Sequence, residues 1–231
     1  PKDAPEISIS NWAEMRSYSN IPKQGQVSDS LAIDLIHGYY ATVSYTDALI
    51  GKILKELEAQ KLSENTLVVL LSDHGYNLQE HTQWTKFTNY NNATQVPLII
   101  YDPLLKSNGT TNALTSLIDI YPTLVELCGL KSPKEQLDGT SLVPILKNPE
   151  LEGREHVFIK RTNGFTLKTK AFSYTEFIKA TDNSIVDKML YDHRKNKDEN
   201  TNVAYKKEFE SIGAKMSQTL HSAYVKNIEG E

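Results

Sequence analysis

Two adjacent polar residues, Asp73 and His74, follow an apolar run directly and are the first candidates for chemistry in this sequence. A carboxylate and an imidazole at such a position offer an oxygen and a nitrogen to a divalent cation. Gly75 comes next and would let the chain turn sharply beneath the ion. Two neighbours are not a coordination shell, so spacing alone favours a metal site and a capped strand end about equally.

The segments around this pair alternate in the manner of an α/β domain. Apolar residues at three- and four-residue steps over 28–60 predict an amphipathic helix. The β-branched and aliphatic run 66–72 predicts a strand buried on both faces of a parallel sheet, and 96–101 predicts a second one. A helix is predicted over 116–130. Ligands of such sheets bind at the carboxyl ends of strands, which is where Asp73 lies.

The rest of the chain divides into an arm before this unit and a smaller unit after it. Residues 1–28 are polar and contain Pro1, Pro5 and Pro22, which predicts an irregular arm. Residues 29–155 form the α/β unit. Residues 156–231 contain short, partly alternating runs and a final helical pattern, which predicts a small α+β subdomain with an antiparallel sheet.

Composition excludes some classes of partner. The 231 residues carry 25 Lys+Arg against 29 Asp+Glu, a net charge of −4, so no basic field favours nucleic acid. The sequence contains no apolar stretch long enough to span a bilayer and no secretory signal pattern at its start. It begins at Pro1 without a Met, and we therefore expect a fragment of a longer polypeptide. The single cysteine, Cys128, lies in an apolar run and is predicted to be a buried thiol.

Several motifs together resemble the C-terminal portion of a type I, formylglycine-dependent sulfatase, and iduronate-2-sulfatase-like enzymes in particular. The similarity covers about residues 30–225. It implies an alkaline-phosphatase-like α/β sandwich, of which 29–155 would be the C-terminal part of the large sheet. The motifs that carry it are Ser72-Asp73-His74-Gly75, Glu80-His81, Trp84-Thr85-Lys86, the segment 92–99, Asp119-Ile120-Tyr121-Pro122, Leu137-Asp138-Gly139-Thr140 and Met189-Leu190-Tyr191-Asp192.

The resemblance assigns roles to three of these residues. It implies that Asp73 and His74 bind a Ca²⁺ ion and that Lys86 binds the sulfate group of the substrate. The chemistry explains these residue types, because a cation and an ammonium group neutralise the negative charge that develops on the transferring sulfate. A lysine suits the second role as a compact point charge. The implied reaction is hydrolysis of sulfate esters on a sulfated carbohydrate.

The residues that the family uses as nucleophile are absent from this chain. The formylglycine of such enzymes forms within a Cys/Ser-x-Pro/Ala-x-Arg motif in their N-terminal half, and Cys128 is followed by Gly129-Leu130 instead. We therefore expect this chain alone to be inactive. Its expected partner is an N-terminal part that carries the formylglycine, either as a separate chain or as an omitted piece. The family also implies an extracytoplasmic location, periplasmic, secreted or lysosomal.

Three further residues in the loop between Asp73 and Lys86 are predicted at the rim of the substrate site. Tyr76, His81 and Trp84 could meet the face of a sugar ring, although loop aromatics also pack on neighbouring loops. Two other functions stay open. One is a phosphate or phosphonate monoester hydrolase on the same scaffold, and the other is a non-catalytic fragment that binds sulfated glycans.

Overall fold

The computed structural model describes residues 1–105, 108–132, 137–161, 163–179, 181–182, 184–195 and 197–228. No helix within these ranges combines the length and apolar character needed to cross a membrane. In chain order the elements are α1 (Asp29–Ala59), β1 (Val68–Leu71), β2 (Asn77–Leu78), β3 (Trp84–Thr85), α2 (Asn91–Thr94), β4 (Leu98–Tyr101), α3 (Ile120–Leu127), α4 (Val143–Lys147), β5 (Val157–Arg161), β6 (Gly164–Lys168), β7 (Phe172–Ile178), β8 (Ile185–Asp192) and α5 (Glu210–Ile228).

The long helix α1 confirms the prediction over 28–60. Ser28 caps it by accepting a hydrogen bond from the backbone N of Leu31 at 3.3 Å, and Asp29 in the first turn suits the positive end of the helix dipole. All of α1 is described, and Ala32 is its one buried residue. Leu31, Leu35 and Ile36 near its start are partly buried against the arm, whereas other apolar side chains of the helix, such as Ile53 with 68% exposed, are uncovered.

The two predicted apolar strands pair with each other, but not in the predicted direction. β1 and β4 run antiparallel, with Leu71 opposite Leu98, so the prediction of parallel strands is wrong for this pair. An apolar run identifies a strand but not its direction, which depends on the connection. Here the connection contains the β2–β3 hairpin and the four-residue α2, which provide no long crossover helix. In this chain by itself the two strands are not buried on both faces, because Leu71 and Ile99 are exposed.

The arm over 1–28 packs against the β2–β3 hairpin. A buried apolar cluster joins the arm and the start of α1 to the hairpin, where Trp84 supplies the largest side chain. Polar contacts support it: the hydroxyl groups of Ser8 and Tyr90 lie 2.8 Å apart, and the backbone N of Ser10 donates to Oε1 of Gln83 at 2.8 Å. The cluster consists of Trp12, Met15, Ile21, Val27, Ala32 and Trp84.

The predicted antiparallel sheet of the C-terminal unit is confirmed and is covered on both faces. Its strand order is β5-β6-β7-β8. Alternation along β8 sends Leu190 toward α5 and sends Met189 and Tyr191 toward Tyr90 on the opposite face. Because Tyr90 immediately precedes α2, this second contact ties the sheet to the segment that follows the β2–β3 hairpin.

Asp119 organises the start of α3 and its neighbours, within the helix predicted over 116–130. Its fully buried carboxylate accepts hydrogen bonds from the backbone N of Ser116 and of Thr140, each at 2.8 Å, and from the guanidinium of Arg154. Burial alone would raise the pKa of the Asp119 carboxyl, but these donors hold the pKa below its usual value.

We expect Asp119→Ala to lower the free energy of unfolding by about 3 kcal/mol near pH 7, because it removes one partner of a buried ion pair. The depressed pKa of Asp119 means that this stabilisation is complete above its unfolded pKa of about 4 and is lost as the pH falls through the folded value. Urea unfolding from pH 7 to pH 3 measures this. Glu126→Gln, at an exposed position of α3, is the control. If the difference in the free energy of unfolding between Asp119→Ala and Glu126→Gln stayed constant down to pH 3, the stabilising role of the ionised Asp119 carboxylate would be contradicted.

The end of α3 has a glycine stop, and the cysteine beside it is exposed. Gly129 has φ +61°, its N donates to the carbonyl of Glu126 at 3.1 Å, and the N of Leu130 donates to the carbonyl of Val125 at 2.9 Å. This is the Schellman arrangement. Cys128 lies at the C-cap with its thiol exposed, so the prediction of a buried thiol is wrong. The apolar run does not cover it because the helix ends there.

Candidate active site

The structure places Asp73 and His74 together just beyond the end of β1. The backbone N of His74 donates to Oδ1 of Asp73 at 3.0 Å. Nδ1 of His74 lies 2.8 Å from the carbonyl oxygen of Gly75. Since a carbonyl can only accept, Nδ1 carries a proton, which leaves Nε2 as the acceptor of the neutral ring. A backbone carbonyl on the other ring nitrogen is the usual support of a metal-binding histidine.

The pair fits one side of a divalent-cation site. Nε2 of His74 is 3.6 Å from Oδ2 of Asp73, and the carboxylate side chain is 83% exposed and therefore open to a ligand. Two ligands at about 2.4 Å from one ion and at right angles to each other stand about 3.4 Å apart. No cluster of three or more His, Cys, Asp or Glu side chains suited to a metal occurs among the residues that the structure describes. A full coordination shell therefore needs further ligands.

Gly75 is required for a close approach of two backbone segments. A Cβ on this residue would lie 2.0 Å from the carbonyl oxygen of Asn92, and the Gly75 N donates to the carbonyl of Ala93 at 2.9 Å. Its φ lies outside the left-handed region, so the expected sharp turn is not the reason for glycine here. The segment after His74 instead lies directly on α2.

We expect Gly75→Ala to destabilise the protein by about 3 kcal/mol, at the upper end of overpacking costs, because the clash is with backbone and not with a flexible side chain. Gly51→Ala on α1 is the matched control, since no atom lies within 4 Å of its added Cβ. That control should gain up to about 1 kcal/mol from helix propensity. Urea unfolding compares the two variants. Equal stability of both would show that α2 moves aside without cost.

A buried polar network connects α2 to the C-terminal unit. Oε2 of Glu199 accepts from the backbone N of Asn91 at 2.7 Å, and its Oε1 lies 3.0 Å from Nε2 of His193. Nζ of Lys168 donates to Oδ1 of Asn91, and burial lowers the pKa of this lysine. These partners come from three separate segments of the chain, so no local pattern in the sequence predicts the network.

Lys86 follows β3 and pairs with a residue that the sequence did not indicate. Its Nζ donates to Oε1 of Glu14 at 3.0 Å, and the two side chains are 27% and 35% exposed. Nζ also lies 5.4 Å from the centroid of the Phe87 ring. Glu14 belongs to the irregular arm, where neither periodicity nor a motif distinguishes it from other acidic residues.

Two of the predicted rim residues are partly exposed. Tyr76 packs against Tyr39 of α1, with ring centroids 5.1 Å apart. Burial, followed by the negative charge of Glu14, raises the pKa of the Tyr76 hydroxyl. The His81 ring packs against Tyr90 at 5.2 Å, and burial lowers its pKa.

The third predicted rim residue, Trp84, lies in the core and not at the rim. Its side chain is 1% exposed and packs in the apolar cluster of the arm. The prediction that Trp84 meets a sugar ring is therefore wrong for this structure. Trp84 belongs to strand β3, and its indole points into the core. Burial of this large apolar side chain stabilises the fold more than exposure at a loop would.

A cleft of about 590 Å³ opens beside Tyr76. It lies between the segment after His74, the α2 region and the loop around Lys197 of the C-terminal unit. Most of its lining side chains are polar or charged, and one aromatic ring and two apolar residues complete it. The lining residues are Tyr76, Glu80, Asn91, Asn92, Gln95, Val96, Pro97, Lys197 and Asp198.

Two family models match the chain. The first, described as "Sulfatase", matches residues 8–130, and the second, described as "N-sulphoglucosamine sulphohydrolase, C-terminal", matches residues 79–226. Among curated relatives, arylsulfatase K of Rattus norvegicus is 29% identical over 231 residues, which is 94% of this chain and 40% of that protein. Iduronate 2-sulfatase of Mus musculus is 27% identical over 58% of this chain and 30% of its own length. The chain thus spans two fifths or less of these two relatives.

Two solved structures are also similar to this chain. BT4656, solved in complex with its substrate D-glucosamine-2-N,6-O-disulfate, superposes with a TM-score of 0.74 at 26% identity over 84% of this chain and 41% of that one. The phosphonate monoester hydrolase of Agrobacterium radiobacter superposes with a TM-score of 0.71 at 26% identity, over 81% and 40%. The fold is thus that of the alkaline-phosphatase-like sulfatases, as the resemblance implied.

Proposed function

The chain belongs to the sulfatase family, and from that premise we propose that it is the C-terminal portion of an enzyme that hydrolyses sulfate esters of a sulfated carbohydrate. One observation carries the proposal. Within the segment 8–130 that the sulfatase family matches, Asp73 and His74 present an oxygen and a nitrogen 3.6 Å apart at the end of a strand. The sulfated glucosamine bound by the similar protein BT4656 supports a carbohydrate substrate.

In this proposal, Asp73 and His74 hold one side of a divalent cation, which the family resemblance implies to be Ca²⁺. When bound, the cation neutralises negative charge on the sulfate group. Asp73 contributes a formal charge and an exposed oxygen, and the Nδ1 contact of His74 with Gly75 orients its Nε2. Lys86 contributes an ammonium group that stabilises the charge developing on the sulfate in the transition state. Tyr76 and His81 remain candidates for contact with the sugar.

We propose that the partner of this chain is the N-terminal part of the same sulfatase, which would carry the formylglycine nucleophile. The uncovered apolar surface supports this, because soluble proteins rarely leave extended apolar faces open. Under this proposal, 1–28 is an arm, 29–155 belongs to the large sulfatase domain and 156–231 is a subdomain. The exposed apolar residues include Ile33, Tyr40, Val43, Tyr45 and Ile53 of α1, Leu70, Leu71, Ile99 and Tyr101 of β1 and β4, and Leu117, Ile118, Tyr121 and Leu130 around α3.

The test is mass spectrometry of natively purified protein, combined with an aryl sulfatase assay. We expect a covalently continuous or co-purifying N-terminal part that contains formylglycine, together with bound calcium and hydrolysis of aryl sulfate. Recovery of the chain alone, folded, inactive and able to bind sulfated sugars, would refute the enzyme and support the non-catalytic glycan-binding alternative. We also propose an extracytoplasmic location, which cell fractionation tests.

Hydrolysis of phosphate or phosphonate monoesters is the second candidate function. The similarity to the Agrobacterium radiobacter phosphonate monoester hydrolase favours it specifically, since that structure superposes almost as well as BT4656. Both anions can use the same cation and lysine. Rates with p-nitrophenyl sulfate and with a phenyl phosphonate ester distinguish the two: a sulfatase is faster with the first substrate, whereas a phosphonate hydrolase is faster with the second.

A further inference from the structure

Glu14 belongs to the irregular arm, in a segment that buried neighbours and hydrogen bonds keep in place. It lies between Trp12 and Met15, which are each 3% exposed in the core. The side chain of Arg16 fastens the same segment by donating to the backbone carbonyls of Asn11 and Pro22 at 2.9 and 2.7 Å. The backbone on both sides of Glu14 is thus held in place before any ligand binds.

The partner of this carboxylate is the lysine expected to bind the sulfate group. A lysine side chain has four rotatable carbon–carbon bonds, and holding its ammonium group in one place costs conformational entropy. The hydrogen bond to Glu14 uses one of the three N–H donors of Lys86 and leaves two for a ligand. The pair is partly buried, so water and salt screen it less than a surface pair.

The environment of the second carboxylate oxygen of Glu14 indicates that this residue does more than stabilise the fold. Oε2 is buried and has no hydrogen-bond partner among the residues that the structure describes. A buried carboxylate oxygen without a partner costs stability, and an apolar residue would avoid that cost. The contact with Lys86 offers a reason to keep a side chain with an acceptor oxygen at this place.

We propose that Glu14 is a positioning residue that holds the ammonium group of Lys86 in place for the sulfate. This inference rests on the role proposed above for Lys86. Glu14 does not touch the substrate in this account, and it acts through the geometry of the lysine. Prior fixing of a group that acts in the transition state raises kcat more than it improves substrate binding.

The test compares Glu14→Ala, Glu14→Gln and Lys86→Ala in the complete enzyme with p-nitrophenyl sulfate. Glu14→Ala should lower kcat about 10-fold and change KM by less than about 3-fold, because it frees the lysine without removing it. Glu14→Gln keeps an acceptor oxygen at the same distance and should retain kcat within about 3-fold of wild type. Glu6→Gln, at an exposed position of the same arm, is the control and should behave as wild type. Thermal unfolding confirms that each variant is folded.

The outcomes separate this inference from the proposed function. A large loss in Lys86→Ala with unchanged kcat in Glu14→Ala would overturn the positioning role and leave the function intact. An equal loss in the glutamine and alanine variants would also overturn it, because the acceptor oxygen would then be irrelevant. An unchanged rate in Lys86→Ala would instead remove the premise and refute the assignment of the lysine itself.

Discussion

Replacement of Lys86 by alanine in the complete enzyme is expected to lower kcat for an aryl sulfate by about 100-fold or more, the usual loss when a donor to developing charge is removed. The ammonium group of Lys86 is partly shielded from water and donates a hydrogen bond to Oε1 of Glu14. In the proposed role, this partial burial would make its attraction for the sulfate stronger than that of a fully solvated lysine. Steady-state kinetics with p-nitrophenyl sulfate measures the effect, which should be larger on kcat than on KM.

Two further variants make this result specific. Lys179→Ala removes an exposed lysine that also lies near an acidic residue, Asp182 at 3.8 Å, and should leave kcat unchanged. Lys86→Arg keeps the positive charge but replaces a compact ammonium with a planar fork, so it should restore only part of the rate. Near wild-type turnover in Lys86→Ala would exclude the residue from the site.

Replacement of Asp73 by alanine is expected to weaken metal binding by about 100-fold or more. Loss of an outer-sphere partner of a metal ligand already costs about 10- to 100-fold in affinity, and Asp73 is proposed as a direct, charged ligand. Titration calorimetry with Ca²⁺ on metal-free complete enzyme measures the affinity without reference to turnover. Elemental analysis of the purified variant should show correspondingly less bound metal.

The solvent exposure of Asp73 and Asp34 makes these two residues a suitable pair for the Ca²⁺ titration. The Asp73 side chain is 83% exposed, so its replacement should cost little stability, and a folded variant is expected for the titration. Asp34→Ala, at an exposed position of α1, changes the net charge equally and should leave the affinity as in wild type. An unchanged Ca²⁺ affinity in Asp73→Ala would defeat the assignment of this residue as a ligand.

Local patterns in the sequence were sufficient to predict several elements. The three- and four-residue spacing over 28–60 predicted α1, the apolar runs predicted β1 and β4, and alternation predicted the C-terminal antiparallel sheet. Each depends on neighbours within a few residues, because hydrophobic periodicity reflects local geometry. The motif Ser72-Asp73-His74-Gly75 also pointed to the candidate site, since a strand end and a charged pair adjoin in the sequence itself.

Relations between distant residues could not be predicted in this way. The antiparallel pairing of β1 and β4 depends on the connection between them. The burial of Trp84 depends on the arm that packs over its side chain. The pairing of Lys86 with Glu14 joins residues 72 positions apart, in a segment without periodicity.

The sequence by itself thus determined α1, the apolar strands and the C-terminal sheet, the position of Asp73 and His74 at a strand end and the resemblance to a family. The tertiary structure alone decided strand direction, the burial of Trp84, the reason for Gly75 and the partner of Lys86. The physical reason is that propensity and periodicity act over one or two turns of chain, whereas these features depend on backbone contacts and buried polar partners from remote segments.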